Sequence, residues 1–288
     1  MSVRVFAPAK INLTLEVGRP RADGLHPLQS MVVFADVGDI LEASDADEIA
    51  LSISGEFADG LAADESNLVL RAARALAAHA GTSRGAHIAL EKILPIASGI
   101  GGGSSDAAAT LKALNQLWSL ALDHTELAKI GATLGADVPV CLAGAPAFMS
   151  GVGELVAPVA APAMPAVLIN PLQPLATASV YRAFDDLGLG DAFKSRTAPQ
   201  WTTAVEAIAE IGRIGNQLER PARSLMQQID DIFAILKADH RVQHAAMSGS
   251  GATVFALAAS MDAAAAIADD VQQRRPDWWV ADTLLGGA

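Results

Sequence analysis

Four glycines and three serines crowd the segment Pro95-Ile96-Ala97-Ser98-Gly99-Ile100-Gly101-Gly102-Gly103-Ser104-Ser105-Asp106, directly ahead of a helical pattern. Those residue types at that spacing suit an anion. Glycine lets backbone N–H groups curl around phosphate oxygens without a side chain in the way, and a helix start adds unpaired N–H groups and roughly half a positive charge from its dipole. The serine hydroxyls are further donors. The plainer reading is a loop in which Ser104 or Ser105 caps the helix, although so many glycines beside a good helix are costly unless backbone packs closely against something. The segment is not a Walker A loop, because no lysine follows Gly103. Nor is it a dinucleotide fingerprint: Leu94-Pro95 precedes it in place of a strand, and the acidic residue about 20 positions on, Asp123, opens a helix.

A second cluster, Met247-Ser248-Gly249-Ser250-Gly251-Ala252, falls between two strand-like runs. Alone, a hairpin turn explains it as well as a ligand does. With the first loop present, the two could converge on one polyphosphate. Two isolated charges stand near apolar runs. Asp137, in Gly135-Ala136-Asp137-Val138-Pro139-Val140, is costly to bury without a partner, so it needs a cation or a chemical role, unless it is an exposed cap before Pro139. Lys10, in Ala7-Pro8-Ala9-Lys10-Ile11-Asn12-Leu13, is either a counterpart of that kind or a solvated strand end. Spacing alone does not bring Lys10 and Asp137 together.

The elements that must position these groups follow from periodicity. Strand-like runs occupy 3–6, 11–17, 31–35, 40–43, 49–53 and 87–91, several with period-two alternation. Helices fit 67–79 and 104–118, the latter with Ala107, Leu111, Leu114 and Trp118 at helical spacing. Asp123 with Glu126 reads as a capping box opening a third helix that Gly135 ends. The Pro-rich stretch 158–165 marks the expected boundary between domains 1–158 and 159–288, since proline stiffens a connection and does not join a central strand. Beyond it the pattern predicts a strand at 166–170, a helix at 179–186, a low-signal stretch, a helix at 223–238, strands at 242–247 and 252–257, a helix at 262–273 and a strand at 278–281. Segregated strands and helices make the class α+β: a mixed sheet with helices in the N-terminal domain, and a four-stranded sheet covered by helices on one side, an α/β sandwich, in the C-terminal one.

Composition narrows the function classes. The 288 residues are 51% hydrophobic and 18% charged, with a net charge of −12. Such a chain folds and buries a sizeable core. Its acidity and the lack of a basic, aromatic-interleaved cluster argue against a nucleic-acid partner. The longest apolar stretch, 155–169, is broken by Pro158, Pro162 and Pro165 and falls short of a membrane span. The single cysteine, Cys141, forms no internal disulfide and suits a reducing compartment. The first 17 residues carry Arg4 and Lys10 and read as strand, so the expected location is the cytoplasm. No feature of the sequence sets an oligomeric state.

The segments at 8–13, 95–105 and 247–251 resemble, in order and at similar spacing, the three motifs of the GHMP small-molecule kinases. Arg21-Ala22-Asp23-Gly24-Leu25-His26 and Leu134-Gly135-Ala136-Asp137-Val138-Pro139 narrow the resemblance to a member that phosphorylates a tertiary hydroxyl of a cytidine diphosphate-linked polyol. It implies that ATP phosphates lie on residues 95–105 and on Gly249, Ser250 and Gly251, that Lys10 and Asp137 form the catalytic pair, and that Mg2+ assists, held by Ser104 or Ser105. It also implies that His26 binds the cytosine. Tyr181 could stack on the base, or belong to the core, and Asn12 could bond the polyol hydroxyls or serve the strand turn. One departure is Leu25, where the family usually has an aromatic residue before the histidine. The alternatives are a sibling kinase acting on mevalonate, phosphomevalonate or homoserine, and a non-catalytic nucleotide-binding module.

Overall fold

A computed structural model of the chain describes residues 1–191 and 193–287. In chain order the elements are β1 (Ser2–Asn12), β2 (Glu16–Val17), β3 (Leu28–Ala46), β4 (Ile49–Ser54), α1 (Leu68–Ala80), β5 (Gly85–Glu91), α2 (Gly102–Leu117), α3 (His124–Leu134), α4 (Val138–Ala143), β6 (Ala147–Ser150), β7 (Leu155–Pro158), β8 (Met164–Asn170), α5 (Thr177–Asp186), α6 (Ala204–Ile214), α7 (Glu219–Leu225), α8 (Gln227–Lys237), β9 (Val242–Met247), β10 (Val254–Ala258), α9 (Met261–Arg274) and β11 (Trp279–Leu285). The chain is α+β, as its pattern predicts. It forms two compact units: Met1–Ala9, Val37–Ile96 and Gly101–Gly144 make one, and Lys10–Asp36, Ala97–Ile100 and Ala145–Ala288 the other. Strands β1 and β3 each run from one unit into the other.

In the first unit, the later part of β3 pairs antiparallel with β5, and β4 pairs parallel with β5 across the α1 crossover. Ala86, Ile88 and Leu90 alternate inward along β5, the period of a half-buried strand. Helix α1 begins where the Asn67 side chain accepts from Val69 N–H, and ends at Gly81 in the left-handed region. Ala72, Ala73 and Leu76 of α1, with Ala107, Leu111 and Leu114 of α2, are fully buried. Helix α3 has the expected capping box, with Asp123 and Glu126 each bonding the other's backbone N–H.

In the second unit, β9, β10, β8 and β11 form an antiparallel four-stranded sheet in that spatial order. Val167 and Ile169 of β8 and Val254 and Ala256 of β10 share a core with Val180 and Phe184 of α5, Ile229 and Ile232 of α8, and Ile267 and Val271 of α9. The expected C-terminal sandwich is therefore present.

Several elements differ from their pattern. The runs at 31–35 and 40–43 belong to one long strand, β3, because the intervening Asp39 is buried in a charge cluster and so does not interrupt it. The helix expected over 223–238 is two, α7 and α8, broken where Met226 adopts φ −143° and ψ 103°. Helix α6 lies in the low-signal stretch. Pro165 sits inside β8, opposite Leu284 of β11 and one residue beyond the end of the β10 ladder at Ala166.

Candidate active site

Helix α2 starts two residues earlier than its periodicity implies. Gly101 is its N-cap, at φ 66° and ψ 17°, and no side chain caps it. Gly102 and Gly103 form the first turn, so the amides there are not covered by side chains, and neither Ser104 nor Ser105 is the cap. The Ser105 hydroxyl is committed elsewhere, donating to the Pro8 carbonyl at 2.7 Å, with Cys141 Sγ at 3.4 Å. An open glycine-built terminus on a 16-residue helix fits an anionic group. Pro95 is buried at the entry to this loop and Ile96 is exposed. Asp137, in the same unit, occupies the N-cap position of α4, yet its carboxylate makes no capping bond, unlike the exposed-cap alternative. It is half-buried.

The second unit brings together three of the segments that stood far apart in sequence. Lys10 N–H donates to the Ile100 carbonyl at 2.8 Å. Asn12 N–H donates to Ser248 Oγ at 3.1 Å, and that hydroxyl donates to the Gly99 carbonyl at 3.1 Å. The Ser98 carbonyl accepts from Thr253 N–H at 3.1 Å and from Thr253 Oγ1 at 2.6 Å, and Asn170 Nδ2 holds that hydroxyl at 2.8 Å. Close approach of the two loops requires glycine: a Cβ on Gly99, at φ +78°, would stand 2.5 Å from the Gly251 carbonyl oxygen, and one on Gly249, 2.9 Å from that of Gly99. Ala97, which leads into this contact, sits at φ 52°. Ser250 Oγ lies 2.9 Å from Thr177 Oγ1. Lys10 is 4% exposed and Asn12 5%. Asn12 Nδ2 donates to Ser30 Oγ at 2.7 Å, whereas its Oδ1 is buried with no hydrogen-bond partner among the described residues. An unpartnered buried acceptor suits a ligand hydroxyl.

His26 and Tyr181 also meet. Their ring centroids are 4.9 Å apart and tilted by 47°, and Phe184 adds an edge contact at 5.8 Å. His26 Nδ1 lies 2.9 Å from the Gly18 carbonyl, an acceptor, so Nδ1 carries the proton. Nε2 faces Asp185 Oδ2 at 3.5 Å. Gly190, whose backbone abuts Gly18 and the Phe184 ring, lines a cavity of about 380 Å3. Gly18, Phe184 and Asp185 were not singled out in the sequence; Asp185, one turn beyond Tyr181 on α5, was the readable signal. Leu25 is exposed.

In the first unit the sequence reading also missed Asp39, Lys92 and Asp106, which form a buried ion cluster: Lys92 Nζ donates to Asp39 Oδ2 at 2.5 Å and to Asp106 Oδ2 at 2.8 Å. A charge flanked by apolar residues, as in Leu90-Glu91-Lys92-Ile93-Leu94, was the available clue. Among the described residues, no group of three or more His, Cys, Asp or Glu is placed to hold a metal ion. No helix there is long and apolar enough to cross a membrane.

Residues 67–145 match the family model described as the GHMP kinases N terminal domain, and residues 198–277 the one described as GHMP kinases C terminal. A 4-diphosphocytidyl-2-C-methyl-D-erythritol kinase of Hyphomonas neptunium is 44% identical, the match covering 100% of this chain and 98% of that protein. The enzyme of that name from Ruegeria pomeroyi is 46% identical over 98% of each. A crystal structure of 4-(cytidine 5'-diphospho)-2C-methyl-D-erythritol kinase superposes with a TM-score of 0.80 at 34% identity, covering 99% of this chain and all of that one. The chain belongs to the GHMP kinases and, within them, to the family of 4-diphosphocytidyl-2-C-methyl-D-erythritol kinases, and is thus a phosphoryl-transfer enzyme of a class that uses ATP.

Proposed function

We infer that the protein transfers the γ-phosphoryl group of ATP to the tertiary 2-hydroxyl of 4-diphosphocytidyl-2-C-methyl-D-erythritol, a step toward isoprenoid precursors by the non-mevalonate route. The end-to-end identity of 44% and 46% to enzymes of that name carries the reading. Asp137 accepts the hydroxyl proton as the substrate oxygen bonds to the γ-phosphorus, and the bond to the β-phosphate oxygen breaks with its electron pair leaving on ADP. Lys10 orients Asp137 and stabilises the incipient alkoxide. A positioned base of this kind is worth about 10² to 10⁴ in rate. The amides of Gly101, Gly102 and Gly103 and the Ser104 hydroxyl receive the phosphates, and Gly249, Ser250 and Gly251 support the nucleotide side, Gly249 and Gly251 through their close approach to Gly99. Asn12 Oδ1 accepts from a polyol hydroxyl, and His26 with Tyr181 holds the cytosine.

Mg2+ is part of the same proposal. Ser104 would be its protein hydroxyl, since Ser105 is buried against Pro8 and Cys141, and the ion would neutralise charge spreading over the transferring group. The proposal takes residues 1–158 as the ATP-binding domain and 159–288 as the C-terminal one, in keeping with where the two family models fall, and puts the enzyme in the cytoplasm. The test is to incubate purified protein with ATP and, separately, the cytidine compound, mevalonate, phosphomevalonate and homoserine, and to weigh the products. Phosphate gained by the cytidine compound alone is expected. Transfer to a sibling substrate instead would overturn the substrate, and ATP binding without any transfer would favour a non-catalytic module.

A further inference from the structure

The glycine-opened helix rests on a buried charge cluster that the reaction above does not use. Lys92, one residue past β5, is 3% exposed, and its ammonium joins Asp39 of β3 to Asp106 of α2. Asp39 is fully buried, and its other oxygen accepts from the N–H groups of Ile93 at 2.6 Å and Leu94 at 2.8 Å, the two residues that lead into Pro95. One ammonium therefore ties together a strand, the entry to the glycine loop and the second turn of the helix. A Cβ on Gly102, the first helical residue, would stand 3.1 Å from Lys92 Nζ and 3.7 Å from Asp39 Oδ2. The missing side chain makes room for the charge beneath the helix start.

Geometry and charge agree on a purpose. With all three groups ionised the cluster carries one net negative charge, unfavourable both to bury and to set beneath an anion site. Burial, together with Asp39, pushes the Asp106 carboxyl up to about 7 against the pull of Lys92. Burial opposes the Lys92 ammonium too, but the two carboxylates hold it above its ordinary value. Among the described residues, Lys92 from the end of β5 and Asp39 from β3 are the charged groups acting on Asp106, and Asp106 Oδ1 is buried without a hydrogen-bond partner.

We propose that Lys92 is a positioning residue for the nucleotide: gripped by Asp39 and Asp106, it fixes the first turn of α2 and places a buried positive charge under the amides that meet the triphosphate. This rests on the assignment of residues 95–105 to ATP.

The experiment titrates the full-length protein with a non-hydrolysable ATP analogue by calorimetry, alongside steady-state kinetics. Lys92→Met is expected to weaken the analogue and raise KM for ATP about tenfold, with kcat within about threefold and KM for the alcohol unchanged, and Lys92→Arg to recover part of the loss. Asp106→Ala removes one of the two grips on Lys92 and should weaken the analogue too, by less than Lys92→Met does. A folded Lys92→Met protein that binds the analogue as wild type does overturns the proposal. Should that variant not fold, a folded Asp106→Ala protein with wild-type affinity for the analogue overturns it instead. A wild-type protein that binds no analogue sinks the ATP assignment itself, whereas one that binds it but leaves the cytidine compound unmodified sinks only the substrate.

Discussion

The two glycine–serine segments look alike in composition and do opposite work in the structure. Gly101, Gly102 and Gly103 open a helix and leave its first amides uncapped, with Gly103 exposed and no atom closer to its Cβ position than Leu68 Cδ1 at 3.6 Å. Gly249 and Gly251 instead lie at φ +57° and +84°, the first pressed against Gly99 and the second against Met247. At Gly103 the missing side chain keeps space free. At Gly249, and at Gly99 of the first segment, it lets two backbones touch. Residues that face open space should change kinetics and leave stability alone, and those in the backbone contact should do the reverse.

Asp137 gives the largest expected effect. Its carboxylate does not cap α4. Asp137→Asn is expected to lower kcat by about 10² to 10⁴, with little change in ATP affinity. Near-normal turnover in a coupled ADP-release assay would remove it from the mechanism.

A pair of alanine substitutions takes the comparison further. Gly99→Ala forces a left-handed alanine whose Cβ lies 2.5 Å from the Gly251 oxygen, a backbone atom that cannot swing aside. We expect a loss of at least about 2 kcal/mol in urea unfolding. Gly103→Ala is the opposite case, since alanine is about 0.5–1 kcal/mol better than glycine within a helix. That variant should unfold slightly later yet bind ATP about fivefold more weakly, a loss of about 1 kcal/mol at the phosphates. Equal destabilisation of both variants would erase the distinction between open and packed glycines.

What the sequence made legible was local. The Asp123 and Glu126 box, the Asn67 start of α1 and the alternation along β5 all depend on neighbours a few residues apart, and they are where their pattern puts them. The cluster of Asp39, Lys92 and Asp106 was not legible, because its members are 53 and 14 positions apart and each alone looks like a solvated charge. Helix α6 carried local signals that went unread: Thr203 and Glu206 form a capping box, and Ala204, Ala207, Ile208 and Ile211 recur at helical spacing. For the candidate site, glycine content drew attention to both segments. It could not say that a Cβ on Gly102 would point at Lys92, so that a larger side chain there would first meet the buried ammonium and not the phosphate.

The smallest effect tests the edge of the comparison, at a residue that is exposed but adjoins a packed one. Leu25 is 51% exposed and its backbone is held in a turn, its N–H donating to Asp23 Oδ1 at 3.1 Å and its carbonyl accepting from Arg21 N–H at 2.8 Å. The side chain can therefore change without disturbing the turn, while His26 beside it stays fixed by Gly18 and its ring contacts. Leu25→Tyr adds an aromatic face next to the proposed base site, worth about 0.5–1.5 kcal/mol when it stacks. KM for the cytidine substrate should fall by about two- to tenfold, with KM for ATP and the unfolding midpoint unmoved. A change in the ATP constant instead would mean that this segment faces the nucleotide donor, and the division of labour between His26 and the glycine loop would have to be redrawn.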